Sequence, residues 1–255
     1  MNIFTKLFSP WDYTVINKLQ ELDRANNLKD YLDFVKENFK KVKIIENNDL
    51  LLSLKDNLSK DIQINLCDLK ITDINNEDRL FLRKTVIQKL NQAQKLLPKG
   101  YHLMIRDAFR SEELVWKLYD FYCKSLRQNK PNLSDKEIDI EVRSRVAVPD
   151  DSLPPGHMTG GAIDVVLGDD NGDFIPTRIM GTDFINSAEH QYTFCKDLPK
   201  EMFNNRMILY RAMTKVGFSN ISREYWHYSY GDGNWAVKRK KKISIYGIPK
   251  INKQN

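Results

Sequence analysis

The sequence predicts an α+β fold in which a small central antiparallel sheet is flanked by helices, with a helical extension at the N-terminus. Apolar residues recur at helical spacing in several segments of the chain. Three other short segments are alternating or continuously apolar, which indicates strands. Because these elements do not follow the regular strand–helix order of a doubly wound sheet, an α+β domain is the better interpretation.

The N-terminal part of the chain is predicted to be helical. Apolar residues between positions 28 and 39 recur at helical spacing with charged residues between them, and residues 11–25 show a weaker form of the same pattern. We therefore predict an N-terminal helical extension over residues 1–45 and a main domain over residues 46–255.

The middle of the chain predicts helices on both sides of a strand. Residues 82–97 carry one apolar helical face that ends at a Pro-Lys-Gly segment, and residues 101–105 then alternate as a strand does. Ser111 is a favourable N-cap for the next helix. Ser134 and Glu137 have the spacing of a capping box, which predicts the start of another helix.

The C-terminal half supplies two more predicted strands and one helix. Residues 162–167 form a short apolar run before a turn, which is typical of a buried strand. A helix over residues 201–216 is followed by Gly217, a residue suited to the end of a helix. The aromatic segment 224–230 predicts a further strand.

The composition is that of an ordinary soluble globular protein, with 41% hydrophobic and 29% charged residues in a chain of 255. Much of the net charge of +6 lies in the basic run Lys238–Lys242. A solvated surface is the favoured interpretation of this run, and binding of a nucleic acid or an anionic membrane surface is the alternative. No aromatic residues lie between these cations, as a surface for single strands would need, so no nucleic-acid partner is predicted.

The cysteines and the N-terminus exclude other classes of protein. Cys67, Cys123 and Cys195 are far apart and form no CxxC pair, which argues against a disulfide framework and against a thiolate zinc site. The apolar part of the N-terminus is too short for a signal peptide, and no apolar run approaches the length of a membrane span. We therefore expect a cytoplasmic protein.

One histidine and one aspartate lie in unusual surroundings. His157 is in a loop rich in proline and glycine, and Asp164 follows it within the predicted buried strand. A carboxylate among apolar residues is costly unless it is paired or bound to a metal. Gly160 and Gly161 remove side-chain bulk between the two, so that the chain can fold tightly around an ion. Capping of a turn, or pairing with an arginine, is the alternative role for Asp164.

A second histidine lies three residues after a glutamate. This spacing suits a divided task, in which His227 binds a metal while Glu224 stays off the metal and takes a proton from water. Two imidazoles and one carboxylate favour zinc with an open fourth position, as in hydrolytic sites. We therefore predict one zinc ion per chain, held by His157, Asp164 and His227.

Both segments resemble motifs of the D-alanyl-D-alanine dipeptidases of the VanX type. These enzymes belong to the wider group of zinc D-Ala-D-Ala peptidases that share a fold with the Hedgehog signalling domain. The resemblance covers roughly residues 80–235. The matching segments are 107–110 (family pattern D-G-Y-R-P), 156–164 (S-x-H-x-x-G-x-A-x-D), 180–182 (M-G-T/S), 205–218 (N-R-R-x-L…M…G-F) and 224–227 (E-x-W-H).

The resemblance implies a Hedgehog/DD-peptidase-like fold and a role for each matching residue. It assigns zinc to the three predicted ligands and makes Glu224 the catalytic base. Arg110 matches the arginine that stabilises the oxyanion, because a guanidinium beside zinc adds fixed positive charge where negative charge develops. We expect Asp107 to orient Arg110 and Trp226 to pack beside the metal site.

The substrate pocket departs from the family pattern. Pro155 stands where the family has a serine, and Ile185 stands where it has the aspartate that receives the substrate's free amine. Asp183 and Asn186 lie beside Ile185, and we predict that they contact the substrate instead. A site without the amine-binding carboxylate should lose its preference for a free N-terminus.

The main prediction is a zinc-dependent D-alanyl-D-alanine dipeptidase that hydrolyses D-Ala-D-Ala or related small peptides of the peptidoglycan type. The departures from the family leave open a D,D- or L,D-carboxypeptidase that acts on longer cell-wall stem peptides. A third candidate is a non-catalytic domain that binds zinc and a ligand, as Hedgehog domains do. Retention of Glu224 and Arg110 argues against this third candidate, because a scaffold needs neither.

Overall fold

The computed structural model describes residues 33, 36–69, 71, 73–149, 153–179, 188–195 and 197–250. The predicted helical segment 11–25 and most of the segment 28–39 lie outside these residues. Residues 36–39 are helical, and Phe39 and Val42 pack against the side chains of Leu153 and Ala236. The extension as a whole, and its boundary at residue 45, stay predictions.

The described residues form helices and strands in an irregular order, as predicted. The helices are α1 (Leu54–Asn57), α2 (Lys84–Gln94), α3 (Glu112–Asn129), α4 (Asp135–Arg143), α5 (Gly156–Thr159), α6 (Lys200–Lys215) and α7 (Gly233–Lys238). The strands are β1 (Lys43–Ile44), β2 (Leu51–Ser53), β3 (Gln63–Ile64), β4 (Phe81–Arg83), β5 (His102–Asp107), β6 (Ala162–Gly168), β7 (Ser219–Ile221), β8 (Glu224–Ser229) and β9 (Ile243–Ser244).

The main sheet has five strands in the order β3-β5-β6-β8-β7. The pairs β5–β6, β6–β8 and β7–β8 are antiparallel, which confirms the predicted antiparallel sheet. The edge strand β3 pairs with β5 in parallel, which the sequence pattern did not predict. Two smaller sheets accompany it, a parallel pair β1–β9 and an antiparallel pair β2–β4.

The predicted helix ends are confirmed at three places. The side chain of Ser111 accepts a hydrogen bond from the backbone N–H of Leu114 at 3.2 Å and caps α3. Ser134 and Glu137 form the capping box at the start of α4. Helix α6 is followed by Gly217, whose φ of +105° lies in the region that favours glycine.

The segment 82–97 differs from its prediction at its start. Phe81–Arg83 forms strand β4, which pairs with β2, and the helix begins only at Lys84. Leu82 is fully buried in the main core, so it fits the apolar face of a helix and the buried face of a strand equally well. Pairing with β2, which lies outside the local pattern, therefore decides the strand.

The two faces of the main sheet serve different purposes. Along β6, Ile163, Val165 and Leu167 point into the main core, where they pack with apolar residues of α2 and α6. The alternate residues Asp164 and Val166 line an open cleft, as the two-residue period of a strand requires. A second apolar cluster joins α3 and α4 on another side of this cleft. None of the described helices is long and apolar enough to cross a membrane.

Candidate metal centre

The three predicted metal ligands converge at the cleft. Asp164 on β6 and His227 on β8 are direct partners in the antiparallel ladder, and His157 comes from the short helix α5. One donor atom from each residue lies within 4.8 Å of the other two. All three side chains are buried, with residue exposures of 6–7%. The strand register therefore brings together residues that are 63 positions apart.

The turn between His157 and β6 depends on its glycines. Gly160 ends α5 with a φ of +70°, a conformation that L-residues with a side chain rarely adopt. A Cβ atom on Gly161 would lie 2.6 Å from the carbonyl oxygen of Tyr230. Glycine at this position therefore lets the start of the β6 segment lie directly against the residue that follows β8.

Hydrogen bonds select which imidazole nitrogen faces the centre. His157 Nδ1 lies 2.5 Å from the carbonyl oxygen of Ala108, so its Nε2 points to His227 Nδ1 at 3.2 Å. His227 Nδ1 is 2.9 Å from Asp164 Oδ1, while its Nε2 lies 3.4 Å from Ser229 Oγ. Two nitrogens and one carboxylate oxygen thus face one point, each imidazole being held from its far side. This donor set fits a zinc ion.

The charges at the centre favour a bound cation. Burial opposes the charged form of Asp164, but the nearby imidazoles of His157 and His227 more than offset it and hold its pKa well below the usual range. Burial also opposes protonation of His227, but hydrogen bonding to Asp164 and its charge raise the pKa of that imidazole. Asp164 therefore stays anionic, and a metal ion here would bind the neutral form of the His227 imidazole.

Glu224 lies next to the metal ligands and opens into the cleft. Its Oε2 is 3.9 Å from His227 Nδ1, and its side chain is 24% exposed. Burial raises the pKa of this carboxyl group above its ordinary value. The amide of Asn220 donates hydrogen bonds to the carbonyl oxygens of Glu224 and His227 at 3.0 and 2.9 Å. Asn220, which the sequence motifs did not include, thus fixes the strand that carries both residues.

Arg110 belongs to a buried chain of ion pairs. Its Nε donates to Asp107 Oδ2 at 2.8 Å, and its Nη2 is 3.3 Å from Asp164 Oδ2. Asp107 is fully buried and pairs with a second guanidinium, that of Arg79, whose Nε donates a hydrogen bond to Asp107 Oδ1 at 3.0 Å. Burial works against its charged form, but Arg110, His157 and Arg79 hold its pKa below the ordinary value. Asp107 therefore lies where it can orient Arg110, and Arg79 is a partner that the motifs did not include.

Comparison with known proteins shows the family of the chain. A family model described as D-Ala-D-Ala dipeptidase, of the peptidase M15 family, matches residues 61–244. The chain belongs to the peptidase M15 family. Members of this family are metallopeptidases, in general zinc-dependent, and the chain is accordingly a metallopeptidase hydrolase with an α+β fold.

Three curated relatives are each named D-alanyl-D-alanine dipeptidase. The chain is 28% identical to the protein of Escherichia coli K12 over 156 residues, which is 61% of this chain and 69% of that protein. It is 24% identical to the protein of Synechocystis over 194 residues, which is 65% of this chain and 78% of the relative. It is 26% identical to the protein of Enterococcus faecalis over 155 residues, or 59% and 73% of the two chains.

Of the other predicted site residues of this M15 member, the structure describes Trp226 and Pro155 but not Asp183 and Asn186. Trp226 packs edge-on against Tyr225, with ring centroids 5.0 Å apart, and both contact the apolar surface of Met104 and Val166. Pro155 forms the N-cap of α5 and lines the cleft. Asp183 and Asn186 lie outside the described residues, as do Ile185 and the segment 180–182, so the predicted substrate contacts there stay predictions.

The cleft in front of the centre has a volume of about 790 Å³. Its sheet wall consists of Asp164 and Val166 on β6 and residues 224–227 on β8. Its helical wall consists of Val115, Leu118, Phe121 and Tyr122 on α3 and of residues 143–148 around the end of α4. A space of this size is large enough to hold a small peptide.

Proposed function

We propose that the protein is a zinc-dependent D-alanyl-D-alanine dipeptidase that hydrolyses D-Ala-D-Ala or related peptidoglycan-type peptides. One observation carries the proposal. The donor atoms of two histidines and one aspartate lie within 4.8 Å of one another, and Glu224 and Arg110 line the same cleft. The choice of D-Ala-D-Ala as the substrate is supported by membership of the M15 family and by three relatives named as D-alanyl-D-alanine dipeptidases.

The residues that would hold one zinc ion are His157 through Nε2, His227 through Nδ1 and Asp164 through a carboxylate oxygen. Zinc, when bound, supplies a Lewis acid that polarises the peptide carbonyl and makes water more acidic. Ser229 and the carbonyl of Ala108 keep the two imidazoles turned so that the required nitrogens face the cation.

Glu224 would act as the proton carrier of the reaction. Its Oε2 accepts a proton from the attacking water and delivers it to the nitrogen of the leaving amine, so that the carboxylate is restored after each cycle. Burial in the cleft raises the pKa of Glu224. A raised pKa suits this role, because the carboxylate is then a stronger base than one in water.

Arg110 would stabilise the negative charge that develops on the peptide oxygen. Its Nε is engaged by Asp107, which leaves the rest of the guanidinium directed towards Asp164 and the cleft. A charge fixed in this way requires no reorganisation during the reaction. Asp183 and Asn186 are proposed to contact the substrate, because they flank the position at which the family pattern has the amine-binding aspartate.

Replacement of Glu224 tests the proposal. The Glu224→Gln variant should release D-alanine from D-Ala-D-Ala about 10²- to 10⁴-fold more slowly than the wild type, because proton transfer is lost. Zinc content should stay at one ion per chain, since Glu224 is not a proposed ligand. The matched control is Glu201→Gln, which alters an exposed glutamate in the first turn of α6. Equal rates for wild type and Glu224→Gln would refute the mechanism.

A further inference from the structure

The small sheet β1–β9 joins two basic segments from opposite ends of the described part of the chain. Lys43 is the register partner of Ile243, and its backbone N–H donates to the carbonyl oxygen of Lys242 at 2.8 Å. This pairing places the segment 40–43, which contains three lysines, beside the basic run 238–242. The sequence pattern alone showed only the second of these segments as a basic run.

The neighbouring carboxylates are engaged by other cations. Glu37 pairs with Lys40 at 2.7 Å, and Glu46 pairs with the guanidinium of Arg83 at 2.9 Å. Four exposed lysines therefore give this part of the protein a strongly positive surface. They are Lys41, Lys43, Lys241 and Lys242.

Exposed isoleucines lie among these lysines. Ile44 and Ile243 are each 40% exposed, and Ile45 is 56% exposed. Lys43 and Ile243 point to the same side of the sheet because they are register partners, and Ile45 continues that side two residues further on. The described residues include nine exposed large apolar side chains, so three at one two-stranded sheet are a local concentration. We call the exposed residues of segments 41–45 and 241–243 the lysine–isoleucine surface.

The body of the protein holds this surface in place. Ser244 is 1% exposed, and its hydroxyl oxygen lies 3.0 Å from the carbonyl oxygen of Gly231. Tyr246, which follows β9, is fully buried in the main core. The backbone N–H of Ile45 donates to the carbonyl oxygen of Ser244 at 2.9 Å and so ties the end of β1 to β9. The surface is therefore presented on a fixed backbone, and binding to it requires no prior ordering of the chain.

A surface that is both cationic and apolar is complementary to the anionic face of a lipid bilayer. Lysines attract the anionic headgroups, and aliphatic side chains enter the boundary between headgroups and acyl chains. A nucleic acid fits this surface less well, because single strands are held by stacking on aromatic rings and the exposed apolar residues here are isoleucines. A second copy of the same surface would bring like charges together.

We propose that the lysine–isoleucine surface binds anionic phospholipid bilayers and holds the protein at such a membrane as a peripheral contact. Each lysine close to an anionic bilayer strengthens binding by about fivefold. Salt weakens such a contact, because it screens the charges on both sides. This inference goes beyond the proposed function and does not depend on it.

Co-sedimentation with vesicles measures the binding. The full chain is mixed with vesicles of phosphatidylcholine alone, or with vesicles of phosphatidylcholine and phosphatidylglycerol, at low and at physiological ionic strength. The wild type should bind the mixed vesicles at least about tenfold more strongly than the neutral ones, and this difference should shrink at the higher ionic strength. A single-stranded oligonucleotide, measured at physiological ionic strength, should bind more weakly than the mixed vesicles do.

Two variants test the surface itself. Lys43→Gln combined with Lys241→Gln should weaken binding to the mixed vesicles by about tenfold or more, because two charges are lost. Ile45→Thr keeps the branched shape of the side chain but loses apolar area, and should weaken binding by about threefold. The matched control is Lys60→Gln combined with Lys99→Gln, which removes the same charge from two exposed lysines outside the surface. This control should bind the mixed vesicles as the wild type does.

Circular dichroism and release of D-alanine from D-Ala-D-Ala check each variant, and both should match the wild type because none of the substituted residues lines the cleft. If the double lysine variant does not fold, Ile45→Thr and the salt dependence decide. The proposal is overturned by equal binding to both kinds of vesicle, by an equal loss in the control, or by stronger binding of the oligonucleotide. Absence of D-alanine release from the wild type would instead count against the proposed function, and vesicle binding would still be measured.

Discussion

The sheet wall and the helical wall of the cleft are built in different ways. On the sheet wall, Asp164 and His227 are held by the register of adjacent antiparallel strands. On the helical wall, Tyr122 and Arg145 lie on α3 and just beyond α4, which are joined to each other by apolar packing. A strand register fixes reacting groups closely, because a slip of one residue would turn every side chain to the other face. We therefore propose that the sheet wall carries the chemistry and that the helical wall contributes to substrate selection.

The largest effect should follow from a change at the sheet wall. His227→Ala removes one imidazole from the proposed zinc site, and we expect a loss of kcat/KM on the order of a thousandfold, because the metal contributes several kcal/mol of charge stabilisation. Zinc content should fall well below one ion per chain when measured by atomic absorption.

Its control is His102→Ala. His102 lies on β5 and contacts the carbonyl oxygen of Asp61 and the carboxylate of Asp170, outside the cleft. Treatment of the wild type with a chelator should abolish activity, and added zinc should restore it. Restoration of the His227→Ala variant to wild-type activity by the same zinc concentration would contradict the ligand assignment.

The next largest effect should come from the buried ion pair of Arg79 with Asp107, which lies behind Arg110. Arg79→Met leaves the buried carboxylate of Asp107 with one guanidinium in place of two, so we expect the free energy of unfolding to fall by about 3–5 kcal/mol. The kcat should fall as well, because Asp107 no longer holds Arg110 as firmly. Urea denaturation and steady-state kinetics measure the two effects.

Arg79→Lys sharpens this test, because it keeps the charge and loses the planar fork. If Arg79 orients Asp107, the Arg79→Lys variant should regain a larger share of the wild-type unfolding free energy than of the wild-type kcat, each compared with Arg79→Met. Equal recovery of both would indicate that Arg79 contributes only to folding. Arg127→Gln, which breaks an exposed ion pair with Asp135, should change the stability by less than about 1 kcal/mol.

The two walls also differ in how far the sequence predicts them. The metal ligands and Glu224 lie in two short segments with unusual composition, so residue chemistry and the family resemblance pointed to them directly. The helix starts at Ser111 and Ser134 were predictable because a cap is a local interaction. The antiparallel pairing of the main strands was part of the predicted fold class, whereas their order in the sheet was not predicted.

What the sequence did not predict depends on contacts between distant segments. Arg79 meets Asp107 from 28 residues away, and Arg223 reaches Ser144 from 79 residues away. Neither contact produces a recognisable pattern in the local sequence. The parallel pairing of strand β3 with β5 is another such contact, which no local periodicity could reveal. Tyr122 occurs on a helix whose spacing explains it equally well as a core residue.

The smallest effect should come from the fold of the helical wall. Ser134→Ala removes the side-chain half of the capping box of α4, in which the Ser134 hydroxyl accepts a hydrogen bond from the backbone N–H of Glu137 at 3.4 Å. The expected loss of unfolding free energy is about 1 kcal/mol. The kcat/KM for D-Ala-D-Ala should stay within about twofold of wild type, because a loss of about 1 kcal/mol leaves the native state dominant.

The control is Ser125→Ala, within α3, which places a better helix former at an interior position and should not destabilise the protein. A large loss of activity in Ser134→Ala without loss of stability would show that the helical wall takes part in the chemistry, and the division of labour between the two walls would then be wrong.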